Sequence, residues 1–69
     1  MIEYDDTLYG KVGDRVRLTR EAGDEWHRLH AGATGTITYV DGVATRHVEW
    51  DDGSKLGILP DIDRWEVIG

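Results

Sequence analysis

Apolar and polar residues alternate along most of the chain, and turn-forming residues recur at intervals of about ten residues. A two-residue period is typical of strands with one buried face, whereas no useful length of chain has the 3.6-residue period of an amphipathic helix. In residues 13–19 the alternation places Val16 and Leu18 on the inward face and Arg15 and Arg17 on the outward face. We predict the first strand here.

The second strand is predicted over residues 35–40, with Ile37 and Val40 as its inward residues. Their shared facing requires a β-bulge, because perfect alternation would put Tyr39 on the same face as Ile37. Asp-Gly pairs at residues 41–42 and 52–53 are hairpin turn signals. The last three strands are predicted at residues 45–50, 55–59 and 64–68.

The single proline, Pro60, has no backbone N–H to donate and therefore ends the fourth strand. A one-turn 3₁₀ helix is predicted before the fifth strand, because Asp61 and Asp63 can accept hydrogen bonds from backbone amides. The third strand directs Val48 and Trp50 inward, and the two tryptophans Trp50 and Trp65 are predicted core residues.

The resulting element order is that of an SH3-like barrel. We predict an all-β fold, a small five-stranded SH3-like β-barrel of residues 11–69, with a long loop between its first two strands. Residues 1–10 carry acids and no base, and we interpret them as an acidic N-terminal extension. An open OB-like barrel is the alternative architecture.

Length and composition narrow the function. Sixty-nine residues form one small domain without cysteine, which excludes disulfides and thiolate metal sites and favours a cytoplasmic location. We expect no signal peptide and no membrane span, because the chain has no basic leader and no long apolar segment. The net charge of −6 disfavours nucleic acid and anionic membranes as general partners.

Four segments together resemble one known family. They are G-D-R-V-R-L at 13–18, D-x-W-x-x-L-x-x-G-x-x-G-T-I at 24–37, V-E-W-D-D-G-S-K-L-G-I-L-P at 48–60 and D-x-W-E-V-I at 63–68. The chain resembles a small domain of actinobacterial and phage genomes, the domain of unknown function 4314. The resemblance implies the SH3-like fold and a phage or actinobacterial setting, and it implies no activity.

Glu25, His27 and His30 are the candidate metal ligands, since zinc is often held by three protein ligands. His-x-x-His needs a helical turn to bring both rings to one side, and none is predicted here. Both histidines also depart from the pattern of the family that the chain resembles. We interpret this stretch as a solvated loop and predict no metal and no cofactor.

Catalytic candidates are equally weak. The acids at 51–52 and at 61, 63 and 66 could bind calcium or act as an acid–base pair, but Asp52 falls in a hairpin turn, and Asp61 and Asp63 fall where carboxylates cap backbone amides. The one serine, Ser54, lies in a tight turn, and no cysteine exists to act as a nucleophile. We predict that the protein is not an enzyme.

A cluster of cations supports an alternative function, association with nucleic acid as in barrels of the KOW type. Its residues are Lys11, Arg15, Arg17 and Arg20. Because the net charge is negative, we favour ion pairs with carboxylates over phosphate contacts for these cations. Arg17 is expected to pair across the sheet with Glu66. A further alternative is an acidic surface that inhibits a DNA-binding enzyme, although the acids are scattered.

Trp26 lies outside all of the predicted strands, so the alternation of buried and exposed residues does not say where its side chain points. It is either a lid folded over one end of the barrel or an exposed contact residue, and large aromatics in contact surfaces often dominate binding. We therefore predict a protein-interaction module that is a monomer or weak homo-oligomer. Its groove lies between loop 21–34 and turn 59–64, with apolar contacts from Trp26, Leu29 and Tyr39, and with Glu25, Asp61 and Asp63 as an acidic rim.

Overall fold

The structure is a computed structural model that describes residues 6–69. It contains one four-residue helix and seven strands within that range. The elements are α1 (Asp6–Tyr9), β1 (Arg15–Leu18), β2 (Ala22–Gly23), β3 (Arg28–Leu29), β4 (Thr34–Val40), β5 (Arg46–Trp50), β6 (Lys55–Ile58) and β7 (Trp65–Val67). The predicted all-β class is confirmed.

Five strands form one antiparallel sheet in the order β6-β5-β4-β1-β7, and β2 and β3 form a separate two-stranded sheet. The edge strands β6 and β7 do not pair with each other in the described part of the chain, so the sheets are not closed into a barrel. No helix in residues 6–69 has the length and apolar character that crossing a membrane requires.

The buried residues follow the predicted alternation. Val16 and Leu18 of β1 and Val48 and Trp50 of β5 are all in the core, with Arg17, His47 and Glu49 exposed between them. This arrangement follows from the two-residue period of a strand.

The predicted β-bulge in β4 is confirmed. The register between β4 and β5 shifts between Ile37 and Tyr39. Ile37 is therefore buried and Val40 half-buried, while Tyr39 between them is exposed.

The segment after β6 forms a turn and not the predicted 3₁₀ helix. Both the Ile62 and Asp63 amides donate to the carbonyl oxygen of Leu59, at 3.1 and 2.8 Å. One Asp63 carboxylate oxygen accepts a hydrogen bond from the Leu59 amide at 2.9 Å. Because main-chain and side-chain hydrogen bonds both join Asp63 to Leu59, the segment forms a single closed turn and no 3₁₀ helix.

The long segment between β1 and β4 is partly ordered by the short hairpin β2–β3. Its base is fixed by the pair Ala22 and Leu29, which are register partners and both belong to the core. Gly23 has a φ of +100°, and a Cβ placed there would lie 1.9 Å from the carbonyl oxygen of His27. The hairpin therefore depends on glycine at this position.

Main-chain groups at the end of the N-terminal segment hydrogen-bond to the sheet. The Trp65 indole N–H donates to the Tyr9 carbonyl at 2.9 Å, and Arg46 Nε donates to the Gly10 carbonyl at 3.1 Å. Arg46 is only 1% exposed. Residues 1–5 of the predicted acidic extension lie outside the described residues.

Candidate functional site

An ordered turn at the tip of the β2–β3 hairpin presents Trp26. Asp24 Oδ1 accepts hydrogen bonds from the backbone amides of Trp26 at 2.9 Å and His27 at 2.8 Å. These bonds, first that from His27 and then that from Trp26, lower the pKa of Asp24. The backbone under the indole is thus held, while Trp26 as a residue is 82% exposed.

A cleft of about 190 Å³ lies beside Trp26. One wall is the hairpin and the other is the segment that leads from the β5–β6 turn into β6. The residues that line the cleft are Trp26, His27, Arg28, Leu29, Ser54, Lys55 and Leu56. The cleft is therefore built from two segments that are distant in sequence.

The side chains that line this cleft include cations and no carboxylate. Arg28 is paired with Glu21, with Nε and Oε1 2.8 Å apart and both side chains about half exposed. Lys55 forms no ion pair within residues 6–69. The cleft therefore has a local positive charge on a protein whose net charge is −6.

The hairpin holds three of the predicted contact residues. Trp26 is an exposed side chain and not a lid over the core. Leu29 is a core residue at 8% exposure that also lines the cleft. Glu25 is exposed next to Trp26 but does not line the cleft.

The other three predicted contact residues lie elsewhere. Tyr39 is exposed on β4, with its ring centroid 5.5 Å from that of His47. Asp61 and Asp63 belong to the turn after β6, where Asp63 hydrogen-bonds to the backbone. No residue of turn 59–64 lines the Trp26 cleft, because this turn contacts the start of the long loop, where the Thr19 amide donates to the Arg64 carbonyl at 3.0 Å.

Three of the four cations proposed for nucleic acid are paired with carboxylates. Lys11 Nζ lies 3.3 Å from Asp14 Oδ1. The predicted cross-strand pair of Arg17 and Glu66 is confirmed by the register of β1 and β7 and by an Arg17 Nε–Glu66 Oε1 distance of 2.7 Å. The Arg20 side chain is exposed.

Arg15 is the most strongly engaged of these cations. Its guanidinium donates to both carboxylate oxygens of Asp51, at 2.7 and 2.6 Å. The Thr34 hydroxyl also donates to Asp51, at 2.6 Å. Arg15 first and Thr34 second hold the pKa of Asp51 far below its usual range.

The predicted metal candidates do not converge. His30 Nδ1 lies 4.0 Å from Glu21 Oε2, and both His27 and Glu25 are exposed near the hairpin tip. No group of three or more histidine, aspartate or glutamate side chains within residues 6–69 is arranged to hold a metal ion.

Another depression, of about 250 Å³, lies over the outer face of the sheet. Thr38, His47, Glu49 and Lys55 are among the residues that line it. Its lining has no tryptophan or tyrosine side chain, so we place the candidate binding site at the Trp26 cleft.

Residues 8–68 match the family model of the domain of unknown function DUF4314. The chain belongs to the DUF4314 family. The match includes the hairpin, both walls of the Trp26 cleft and all seven strands. No curated protein and no solved structure matches this DUF4314 chain.

Sequence reasoning did not find the residues of the second wall, Ser54, Lys55 and Leu56. The sequence around residues 54–56 predicts a turn followed by a strand, and it carries no sign of a binding site. Their position beside Trp26 follows from the way the hairpin packs, and a local pattern has no signal for such a contact.

Proposed function

We propose that this DUF4314 protein is a non-catalytic protein-interaction module of SH3-like architecture. The strand order β6-β5-β4-β1-β7 supports that architecture, as does a hairpin within the long segment between β1 and β4. A fold alone does not specify a function, so the functional proposal rests on the cleft beside Trp26.

The exposure of Trp26 is the observation that carries the proposal. A tryptophan can bury roughly 200 Å² or more, and a small domain gains stability from every such side chain that it buries. Here the tryptophan is 82% exposed, on a backbone turn that Asp24 holds in place. An exposed indole on an ordered backbone turn beside a cleft is suited to anchor a partner, because little backbone entropy is lost on binding.

The cellular setting that we propose is the cytoplasm of a bacterial cell, with the gene carried by a phage or its actinobacterial host. The absence of cysteine supports a reducing compartment. The family resemblance supports the phage or actinobacterial origin. We propose that the protein acts as a monomer or weak homo-oligomer.

Association with nucleic acid through Lys11, Arg15, Arg17 and Arg20 receives less support. Phosphate binding would require Arg15 and Arg17 to give up carboxylate partners within hydrogen-bond distance. Inhibition of a DNA-binding enzyme by an acidic surface is also less supported, since Asp14, Asp51 and Glu66 are engaged with those same cations.

Affinity capture from cells that carry the gene tests the proposal. The wild-type protein is expected to retain a defined set of proteins that Trp26→Ala does not retain. Val43→Ala is the matched control, because Val43 is also an exposed apolar side chain, at 75%, but lies in the β4–β5 connection. Recovery of the same proteins by wild type and Trp26→Ala would contradict the proposed role of the cleft.

A further inference from the structure

Two incompletely paired strands border the Trp26 cleft. Within residues 6–69, β3 pairs only with β2, and β6 is an edge strand that pairs only with β5. Arg28 and Leu29 of β3 line one side of the cleft, and Lys55 and Leu56 of β6 line the other. The cleft therefore has a strand with one unpaired edge on each side.

The hydrogen-bonding pattern of the β5–β6 pair shows which backbone N–H and C=O groups of β6 could bond to an added strand. The Trp50 amide donates to the Ser54 carbonyl at 2.9 Å, which makes this a hydrogen-bonded position of the β5–β6 ladder. Such positions alternate along an antiparallel pair, so Leu56 also faces β5. The N–H and C=O of Lys55 consequently point away from β5.

The same alternation applies to the hairpin. The Asp24 amide donates to the His27 carbonyl at 3.0 Å, and Gly23 and Arg28 form the next pair. The main-chain groups of Arg28 thus point away from β2. Arg28 and Lys55 are cationic residues of the lining, and each has an outward-facing peptide group. Lys55 is the register partner of Glu49, with which it also lines the depression on the outer face, but the two form no ion pair within residues 6–69.

We propose that the occupant of this cleft is an extended peptide segment that carries an acidic side chain. Its main chain adds alongside the edge of β6, its carboxylate lies against Lys55, and an apolar neighbour packs on Trp26. Addition of a strand to an exposed sheet edge obtains affinity from main-chain hydrogen bonds and specificity from the side chains. This inference rests on the proposed function, because it uses the same cleft.

The charge of the lining favours an acidic partner. No carboxylate lines the cleft, and Lys55 has no ion-pair partner within the described residues. A complementary charge steers the partner and suppresses wrong ones. The acidic rim predicted at Asp61 and Asp63 lies on a turn that does not line this cleft, so it does not set the charge preference here.

A single-stranded nucleic acid is the competing occupant, because bases stack on aromatic side chains beside cations. Binding of that kind needs a positively charged groove that follows the backbone. Here Arg28 is already paired with Glu21, which leaves Lys55 as the unpaired permanent cation of the lining. The outward-facing N–H and C=O groups can pair with the donors and acceptors of a peptide main chain, whereas a phosphate backbone offers acceptors only.

Three pools of immobilised decapeptides test the charge preference. Each pool has glutamate, glutamine or lysine fixed at its centre and random residues elsewhere. The wild-type protein is expected to be retained about fivefold better by the glutamate pool than by the lysine pool, the effect of one partly exposed ion pair. Lys55→Glu is expected to reverse this order, whereas Lys11→Glu, which changes the net charge equally, leaves it unchanged.

The inference is overturned if Trp26-dependent retention shows no charge preference or favours the lysine pool, and in that case the proposed interaction function still stands. Stronger retention by an oligothymidylate than by the glutamate pool would overturn it in favour of nucleic acid. If the capture experiment finds no protein whose retention depends on Trp26, that result contradicts the proposed function, and it is read separately from the peptide pools. If Lys55→Glu fails to fold, Lys55→Gln is expected to abolish the preference.

Hydrogen exchange tests strand addition directly. Binding of the best decapeptide from the glutamate pool is expected to slow exchange of the Lys55 amide at least tenfold and to leave the Leu56 amide, which already faces β5, nearly unchanged. Unchanged exchange at Lys55 in the saturated complex would show that the peptide does not add to β6.

Discussion

At the scale of single residues, Asp51 links three parts of the sheet. It follows β5 and accepts hydrogen bonds from Arg15 on β1 and from Thr34 at the start of β4. Its backbone amide also donates to the Thr34 carbonyl at 2.9 Å. A side chain in the turn after β5 is therefore bonded to two neighbouring strands.

The first prediction concerns the pH dependence of Asp51→Asn. The folded state lowers the pKa of Asp51 below its unfolded value of about 3.9, so this contribution to stability is fully present above about pH 5. It is lost as the pH falls through the folded-state pKa. Urea midpoints of wild type and Asp51→Asn should therefore differ by a constant amount above about pH 5, and the difference should shrink steadily as the pH falls below about 4.

Glu25→Gln is the matched control, because Glu25 is an exposed carboxylate that forms no ion pair within residues 6–69. Its midpoint should follow that of wild type across the whole pH range. A difference between wild type and Asp51→Asn that persists unchanged at pH 2 would mean that the ionised carboxylate is not what stabilises the fold.

At the scale of elements, the β2–β3 hairpin combines a buried base with an exposed tip. Ala22 and Leu29 tie the base to the core, and Asp24 orders the tip. The Trp26 backbone is consequently held relative to the sheet, while its side chain is exposed. A pre-ordered loop loses less entropy when it binds, which is why the hairpin suits recognition.

The second prediction compares two glycines with nearly the same backbone angle. Gly23 and Gly32 have φ values of +100° and +98°, but only at Gly23 would a Cβ collide with the His27 carbonyl. Gly32→Ala should cost about 1 kcal/mol in unfolding free energy, from backbone strain alone. Gly23→Ala should cost more and should also shift the Trp26 and His27 amide signals in NMR spectra.

If both variants lose the same unfolding free energy and neither shifts the Trp26 and His27 amide signals, the hairpin does not depend on the close approach of Gly23 to the His27 carbonyl. The peptide pools add a functional measurement to the same pair. Gly23→Ala should reduce retention by the glutamate pool, whereas Gly32→Ala should not, because the tip stays ordered.

At the scale of the whole molecule, the chain before β1 supplies acceptors for buried or half-buried donors of β5 and β7. Arg46 Nε donates to the Gly10 carbonyl, and the Trp65 indole donates to the Tyr9 carbonyl. The Tyr9 ring lies 5.8 Å from that of Trp65 and 5.7 Å from the Arg46 guanidinium carbon. These contacts bring both ends of the chain to the same region of the sheet.

The third prediction is that removal of residues 1–10 destabilises the fold by about 2 kcal/mol or more. The buried Arg46 would lose an acceptor, and each buried donor left without a partner costs about 1–3 kcal/mol. For a domain of this size the midpoint of thermal unfolding should fall by roughly 10 °C, measured by circular dichroism.

Tyr9→Ala is the informative comparison, because it removes the ring contacts but keeps the main-chain carbonyls of Tyr9 and Gly10. Its loss should be clearly smaller than that of the truncated chain. A truncated chain as stable as wild type would mean that water replaces both acceptors without cost.

The sequence by itself determined the strand phases and their consequences. Val16, Leu18, Val48 and Trp50 are identified as core by a two-residue period, which depends only on neighbouring residues. The bulge in β4 and the pairing of Arg17 with Glu66 follow from the same alternation once the strands are known. Local geometry was enough for the strand phases and the bulge, whereas the ion pair also requires β1 and β7 to be neighbours in the sheet.

Only the tertiary structure decided where Trp26 lies and what faces it. The hairpin forms because Ala22 and Leu29 find the core, and that burial depends on residues far away in the chain. The same packing puts Lys55 beside Trp26, and it leaves Tyr39 and Asp63 elsewhere. A repeating pattern describes one strand at a time, so the charge and shape of a cleft between distant segments follow only from the packed molecule.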